Sequence, residues 1–264
     1  MSRYIQSRKI GSGTYGDVFE ALDIDTNTKV ALKKIKLNET EGMPGTALRE
    51  ISILKKLKHK NIICLYRVIH TESLLTLVFE LMDFDLKQYL NVSNINTISL
   101  VNQLVSGVRF LHFNKIIHRD LKPQNILVNN EGILKIADFG LSRSVELKVP
   151  PYSSEVVTLW YRSPELLYGS TDYSYYVDIW SLGCIIYEIF SLQPLFQADN
   201  KINMIELINN MINSKFKKNL QFILNVPTFF IDIIVGCLRL ECKCRLTADE
   251  IFKILDYNYN KKDF

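Results

Sequence analysis

The period of the apolar residues changes once along this chain, near residue 80, and that change restricts the available folds more than any other feature. Before it, the runs 4–10, 18–23, 29–37, 62–69 and 74–79 are short, rich in β-branched and aromatic residues, and separated by Gly, Asp, Asn or polar turns. They predict a five-stranded antiparallel sheet. One helix interrupts it over 46–57, where Leu48, Ile51 and Leu54 or Lys55 recur at helical spacing and Pro44 and Gly45 punctuate the start. Beyond residue 80, Ile98, Val101, Val105, Val108 and His112 fall on one helical face. The segment 179–190 is apolar nearly all round, as a buried helix is, and Phe230, Ile233, Ile234, Cys237 and Leu238 mark another amphipathic helix. The expected fold is α+β and bilobal, with a small β lobe over 1–81 and a mainly α lobe over 82–264. A cleft between two such lobes is a usual place for a ligand.

Composition removes several function classes. An apolar content of 47% is that of a chain able to bury a core, not of a disordered one. The formal net charge of +4, from 32 basic and 28 acidic residues, is too small to argue for nucleic acid or a membrane surface. The longest apolar stretches are broken by polar residues before the roughly 18 to 20 residues a bilayer span requires. The opening stretch MSRYIQSRKI has no apolar signal region, and the five cysteines are an odd number, which together lead us to expect an intracellular, reduced protein. Cys237, Cys242 and Cys244 lack the second CxxC-type pair of a zinc site and read as buried thiols.

Gly11, Gly13 and Gly16 form G-x-G-x-x-G, a pattern shared by dinucleotide sites and plain turns. A dinucleotide site needs a helix after the glycines, whereas Asp17-Val18-Phe19-Glu20-Ala21 continues as a strand. The loop is therefore expected to be a hairpin flap whose backbone can approach phosphate oxygens, with Val18 over a purine ring. Lys33 ends Val30-Ala31-Leu32-Lys33 on an apolar strand, where an unpaired ammonium would be costly, so it needs anionic partners. Glu50 on the helix of the small lobe can supply one.

His118-Arg119-Asp120-Leu121-Lys122-Pro123-Gln124-Asn125, followed by Asp138-Phe139-Gly140, is the decisive pair of segments. With the glycine loop and the lysine strand, in this order, the chain resembles the eukaryotic protein kinases. The resemblance implies binding of ATP with Mg²⁺. Asp120 would orient the substrate hydroxyl and accept its proton, and Lys122 would offset charge near the γ-phosphate. Asn125 and Asp138 would hold Mg²⁺ through hard oxygen donors. Residues 10–18 (Ile10, Gly11, Ser12, Gly13, Thr14, Tyr15, Gly16, Asp17, Val18), with Ala31, Lys33 and Glu50, would contact or organise the nucleotide from the small lobe. Glu80 and Leu81 would form the hinge that meets the adenine edge, Leu127 the floor below the ring, and Asp85 either a ribose contact or a helix N-cap.

Residues 41–50, EGMPGTALRE, resemble the cyclin-binding helix of the cyclin-dependent kinases, a variant of the sequence PSTAIRE. VFELMDFDLKQYL, SSEVVTLWYRSPELL and VDIWSLGCI extend that resemblance, and ALRE with KHKNI and VIHTESLLTLVFE leans towards the subgroup of the yeast phosphate-response kinase and a neuronal relative. It implies a cyclin docked on the 43–57 region and activity dependent on that partner; the small net charge and the absence of a spanning stretch lead us to expect no nucleic-acid or membrane partner. Ser153 occupies the position of an activating phosphate, with Arg49, Arg119 and Arg143 as the guanidinium groups to receive it. Thr14 and Tyr15 match positions of inhibitory phosphorylation. Val156, Val157 and Arg162 resemble the floor that accepts proline after the target Ser or Thr, since a prolyl nitrogen has no hydrogen to leave unpaired. After Phe196 the chain departs from the pattern: a segment is shortened by roughly 30 residues. Glu241-Cys242 stands in place of Asp-Pro, and Ser163 replaces the alanine of A-P-E, while Arg245 remains to pair with Glu165. The competing reading is a kinase-fold binding module without turnover.

Overall fold

The short runs rich in β-branched, apolar and aromatic residues along the N-terminal third form β1 (Tyr4–Gly13), β2 (Gly16–Asp23), β3 (Thr28–Lys36), β4 (Leu65–His70) and β5 (Leu74–Glu80). In the computed structural model, which describes residues 3–13, 16–37, 43–144, 158–171 and 174–260, these strands form one antiparallel sheet in the order β1-β2-β3-β5-β4. The predicted sheet is therefore present. Its central strand β3 pairs Ala31 with Phe79 and Lys33 with Leu77 on one side, and with Glu20 and Val18 on the other. Lys33 thus sits in the middle of the sheet, fixed by two ladders.

Two boundaries differ from expectation. The fourth strand starts at Leu65, because the backbone of 61–63 bonds elsewhere: Ile136 N–H donates to the Asn61 carbonyl at 2.9 Å and Ile63 N–H to the Ile136 carbonyl at 3.0 Å. That exchange ties the approach to β4 onto the second lobe. The helix α1 (Gly45–Leu54) is shorter than 46–57, and its buried face is Ala47, Glu50, Ile51 and Leu54. Leu48, placed on the apolar face by spacing alone, is 51% exposed. The arc is rotated because Glu50, a charged residue, is drawn inward to meet Lys33.

The second lobe begins with β6 (Phe84–Asp85), α2 (Leu86–Tyr89), α3 (Thr97–Phe113) and β7 (Ile116–Ile117). Next come β8 (Ile126–Val128), β9 (Leu134–Ile136) and β10 (Arg143–Ser144). It ends with α4 (Pro164–Leu167), α5 (Tyr176–Ser191), α6 (Lys201–Met211), α7 (Phe216–Ile223), α8 (Thr228–Cys237) and α9 (Ala248–Asn260). The helix α3 starts where the Asn96 carboxamide accepts from Ser99 N–H at 2.9 Å, an N-cap. Its inner face, Leu100, Val101, Leu104, Val105, Val108 and Leu111, is fully buried. The run read as a buried helix is α5, enclosed on all sides from Val177 to Ile189, with Trp180 stacked on Phe196. Each such Leu, Ile or Phe contributes about 1.5–3 kcal/mol by leaving water. Gly183 lets α8 approach, since a Cβ there would lie 2.6 Å from that of Cys237. Of the three late cysteines only Cys237 is buried; Cys244 is exposed, which corrects the buried-thiol reading for it. No helix among the described residues is long and apolar enough to cross a membrane.

Candidate active site

Three segments between the lobes carry the polar side chains that the sequence singled out. The hairpin of β1 and β2 pairs Gly11 with Val18, Ser12 with Asp17 and Gly13 with Gly16. A Cβ on Gly16 would stand 2.0 Å from the Lys34 carbonyl oxygen, so only glycine lets the hairpin lie this close to β3. Asp17 turns outward, accepting from Lys9 Nζ at 2.7 Å and Ser12 Oγ at 2.8 Å. Thr14 and Tyr15 lie outside the described residues.

Lys33 Nζ donates to Glu50 Oε2 at 2.7 Å and stands 3.7 Å from Asp138 Oδ1. Glu50 is only 3% exposed. Burial works against the ammonium of Lys33, but the Glu50 and Asp138 carboxylates outweigh it and raise its pKa, so the lysine stays charged. Burial pushes the Glu50 carboxyl up, and the nearby lysine charge offsets part of that. Asp138 adopts φ 60°, a left-handed conformation uncommon outside glycine, which aims its side chain back at Lys33.

On the opposite wall, Asp120 Oδ2 accepts from Lys122 Nζ at 2.8 Å and Asn125 Nδ2 at 2.9 Å, while Asn125 Nδ2 also donates to the Asp120 carbonyl at 2.8 Å. The Asn125 amide is thereby oriented with its oxygen away from Asp120. Its backbone carbonyl accepts from Ala137 N–H at 2.8 Å, which sets Asn125 beside the strand leading into Asp138. His118 donates from Nε2 to the Ala137 carbonyl at 2.9 Å, and its ring meets Phe139 edge-on at 5.0 Å. The two acidic segments are thus cross-linked through their backbones.

A residue whose role the sequence did not reveal organises this loop. Asp178, in α5, is 1% exposed and accepts from His118 N–H and Arg119 N–H, both at 2.8 Å, and from His112 Nε2 at 3.0 Å. Burial alone would raise its pKa, but these donors, His112 foremost, hold it below the ordinary carboxylate value. Its signal was a carboxylate inside an otherwise apolar helical run, which needs compensation.

At the lobe junction, the Glu80 side chain accepts from Cys64 N–H at 2.6 Å and pairs with Lys135 Nζ at 3.0 Å, leaving only its backbone to face a ligand. Asp85 pairs across from Leu127, and its Oδ1 accepts from Gln88 N–H at 2.7 Å in a full capping box, so the N-cap reading holds. Ala31 is buried, Val18, Leu81 and Leu127 are half-buried, and Ile10 is exposed at the rim. Arg49 donates to the Gly140 carbonyl at 3.1 Å. Arg119 lies in the loop at φ 73°. The side chain of Arg143, with Ser153, Val156 and Val157, lies outside what is described; Arg162 lies within it, its N–H bonded to the Leu159 carbonyl. Arg245 meets Glu165 through two bonds of 2.6 and 2.8 Å.

A strand-borne lysine clamped by a helical glutamate, facing two loops of Asp and Asn across a cleft, is the arrangement of a protein kinase. The family model described as "Protein kinase domain" matches residues 4–255, and the chain belongs to that family. It is 59% identical over 262 residues to a protein of Encephalitozoon cuniculi named "probable cell division protein kinase", covering 98% of this chain and 99% of that one. It is also 45% identical over 235 residues to cyclin-dependent kinase 17 of Caenorhabditis elegans, covering 87% of this chain but 35% of the relative. Within the kinases, it is of the cyclin-dependent type.

Proposed function

We propose that the chain is a single catalytic domain, with lobes over 1–81 and 82–264, that transfers the ATP γ-phosphate to Ser or Thr followed by Pro under control of a cyclin. The carrying observation is the closed Lys33–Glu50 pair facing the Asp120–Lys122–Asn125 cluster. Phosphoryl transfer asks for positioning and charge cancellation more than covalent participation. The flap from Ile10 to Val18 covers the phosphates, Lys33 holds them, and the adenine lies between Ala31 and Leu127 with its edge on the backbone of Glu80 and Leu81. Asp85 retains one carboxylate oxygen for the ribose.

The Asn125 carboxamide oxygen and the half-exposed Asp138 carboxylate are the hard donors that Mg²⁺ accepts, so the residues present fit the ion. When bound, Mg²⁺ supplies charge neutralisation on the phosphates. Asp120 uses Oδ2 for Lys122 and Asn125, and Oδ1 accepts the proton as the substrate oxygen attacks phosphorus. Arg49, Arg119 and Arg143 would receive a phosphate on Ser153, and Thr14 and Tyr15 are positions for inhibitory phosphate. Val156, Val157 and Arg162 would accept the proline, as the resemblance implies. The cyclin docks on 43–57, and the chain acts inside the cell.

The test is ATP turnover on a Ser-Pro peptide with and without co-purified cyclin, against Asp138→Asn. We expect partner-stimulated transfer, a loss of roughly 100-fold or more in the variant, and roughly a tenfold lower kcat/KM when Ala replaces the proline. Equal transfer by wild type and variant in every condition would leave the binding-module reading.

A further inference from the structure

On the face of the second lobe formed by the end of α3 and the starts of α5 and α9 lies a cavity of about 700 Å³, within the 300–1,000 Å³ range of small-molecule sites. Its lining residues lie outside the cleft described above, and His112 alone among them was met there, as a donor to Asp178. Aromatic rings make its walls: Phe110 is stacked on His59 at 4.6 Å, Tyr175 packs on His112 at 4.8 Å, and Phe113 is 86% exposed at its mouth. A phenyl ring left in water beside a cavity is apolar surface that an occupant would cover.

The polar groups converge on one side. His59 Nδ1 accepts from Asn61 N–H at 3.1 Å, so the proton of the neutral ring is on Nε2. Among the described residues that Nε2–H has one contact, 3.5 Å to Ser106 Oγ, and is a poorly used donor. Lys60 and Lys135 place positive potential on the ring, which helps burial keep it neutral. Arg109 is satisfied by Asp249 at 2.8 Å and stacks on Phe252, so it forms a rim and not a free anion receptor.

The cavity connects to the catalytic loop through one side chain. His112 lines it, and the same ring meets Asp178, which fixes the backbone N–H groups of His118 and Arg119 ahead of Asp120.

We propose that this cavity binds a planar aromatic carboxylate, its ring between Phe110, Phe113 and Tyr175 and its carboxylate on His59 Nε2–H and Ser106 Oγ–H, and that occupancy alters turnover through His112 and Asp178. Binding stands on this geometry alone; the effect on turnover rests on the kinase reading.

The probe is 2-naphthoate, titrated into the full chain and followed by NMR of the His59 and Phe113 ring signals, with 2-naphthamide as the neutral analogue. We expect saturable one-to-one shifts that persist with saturating ATP, at least threefold weaker binding of the amide, and at least tenfold weaker binding to Ser106→Trp. The exposed Phe113→Ala, which removes no buried contact, should weaken binding about threefold with an unchanged Tm, and so decides the matter if the bulky variant misfolds. At saturating ATP and peptide, the probe should change kcat at least twofold in wild type. Absent shifts, displacement by ATP, or unaltered binding to both variants would overturn the site. Equal binding of the amide would overturn the carboxylate, and an unchanged kcat with intact binding would overturn the coupling. If no phosphate is transferred in any condition, the kinase reading fails while the titration still decides binding.

Discussion

Asp178 shows how a single buried charge can be kept because several donors share it. Its carboxylate offsets desolvation by accepting two backbone N–H groups and one imidazole nitrogen, all within 3.0 Å. With Asn in its place, one oxygen becomes an NH₂ facing donors, which leaves at least one buried N–H unpaired. We expect Asp178→Asn to lose about 2–4 kcal/mol of stability at neutral pH and to lower kcat through misplacement of Asp120. The pH dependence follows from the sign of the shift. The folded pKa lies below the ordinary value of 3.8, so the carboxylate's contribution is complete above about pH 4 and is lost as pH falls through the folded pKa. Thermal unfolding of both proteins from pH 3 to 7 checks this: the gap between them should be constant at high pH and shrink below about pH 4.

At the scale of elements, Arg245 joins two of them. Its guanidinium is bidentate to Glu165 in α4, donates to the Tyr176 carbonyl at the start of α5 at 2.8 Å, and lies 5.0 Å from the Trp180 ring. A buried pair adds little net stability, but losing one partner strands the other. Arg245→Met should therefore cost about 3–5 kcal/mol, or roughly 6–15 °C in Tm at this chain length. Arg245→Met with Glu165→Met should recover part of it, and a double variant no more stable than the single one would show that the charge is not the cause. The Arg245–Glu165 pair was legible from the sequence because the family pattern places both residues. Period also sufficed for the sheet, for α3 and for α5, where the apolar face is wide. It failed at Leu48, because spacing cannot tell which of two adjacent arcs a charged contact will draw inward, and at 62–64, because an apolar run does not say which sheet its backbone joins. Asp85 held two open readings, and Gln88, three residues on, was the capping-box signal that favoured the cap. The long-range partners of Asp178 could not be read, since their separations of 59, 60 and 66 residues leave no local pattern.

For the whole molecule, the question is what a partner adds when the Lys33–Glu50 pair is already closed within this one chain. On this side the small lobe meets the large one through Lys33 to Asp138 and Arg49 to Gly140, with Glu50 holding Lys33 from within the small lobe. Arg49 and Glu50 both sit on α1, a ten-residue helix preceded by Pro44 and with no side-chain cap at its start. Such a helix holds its place by packing more than by its own propensity. Its outer face carries Leu48, whose exposure is unexplained by the core and suits a partner that presses α1 inward. Leu48→Asp should then leave the Tm of the isolated chain within about 2 °C, as surface substitutions away from buried features do. It should weaken cyclin binding at least about tenfold, the loss expected when an interface anchor is replaced by an unpaired charge. Calorimetry on the isolated variant and a binding titration with the cyclin measure the two effects separately. A large fall in Tm would place Leu48 in the fold itself, and unchanged cyclin affinity would remove the outer face of α1 from the interface.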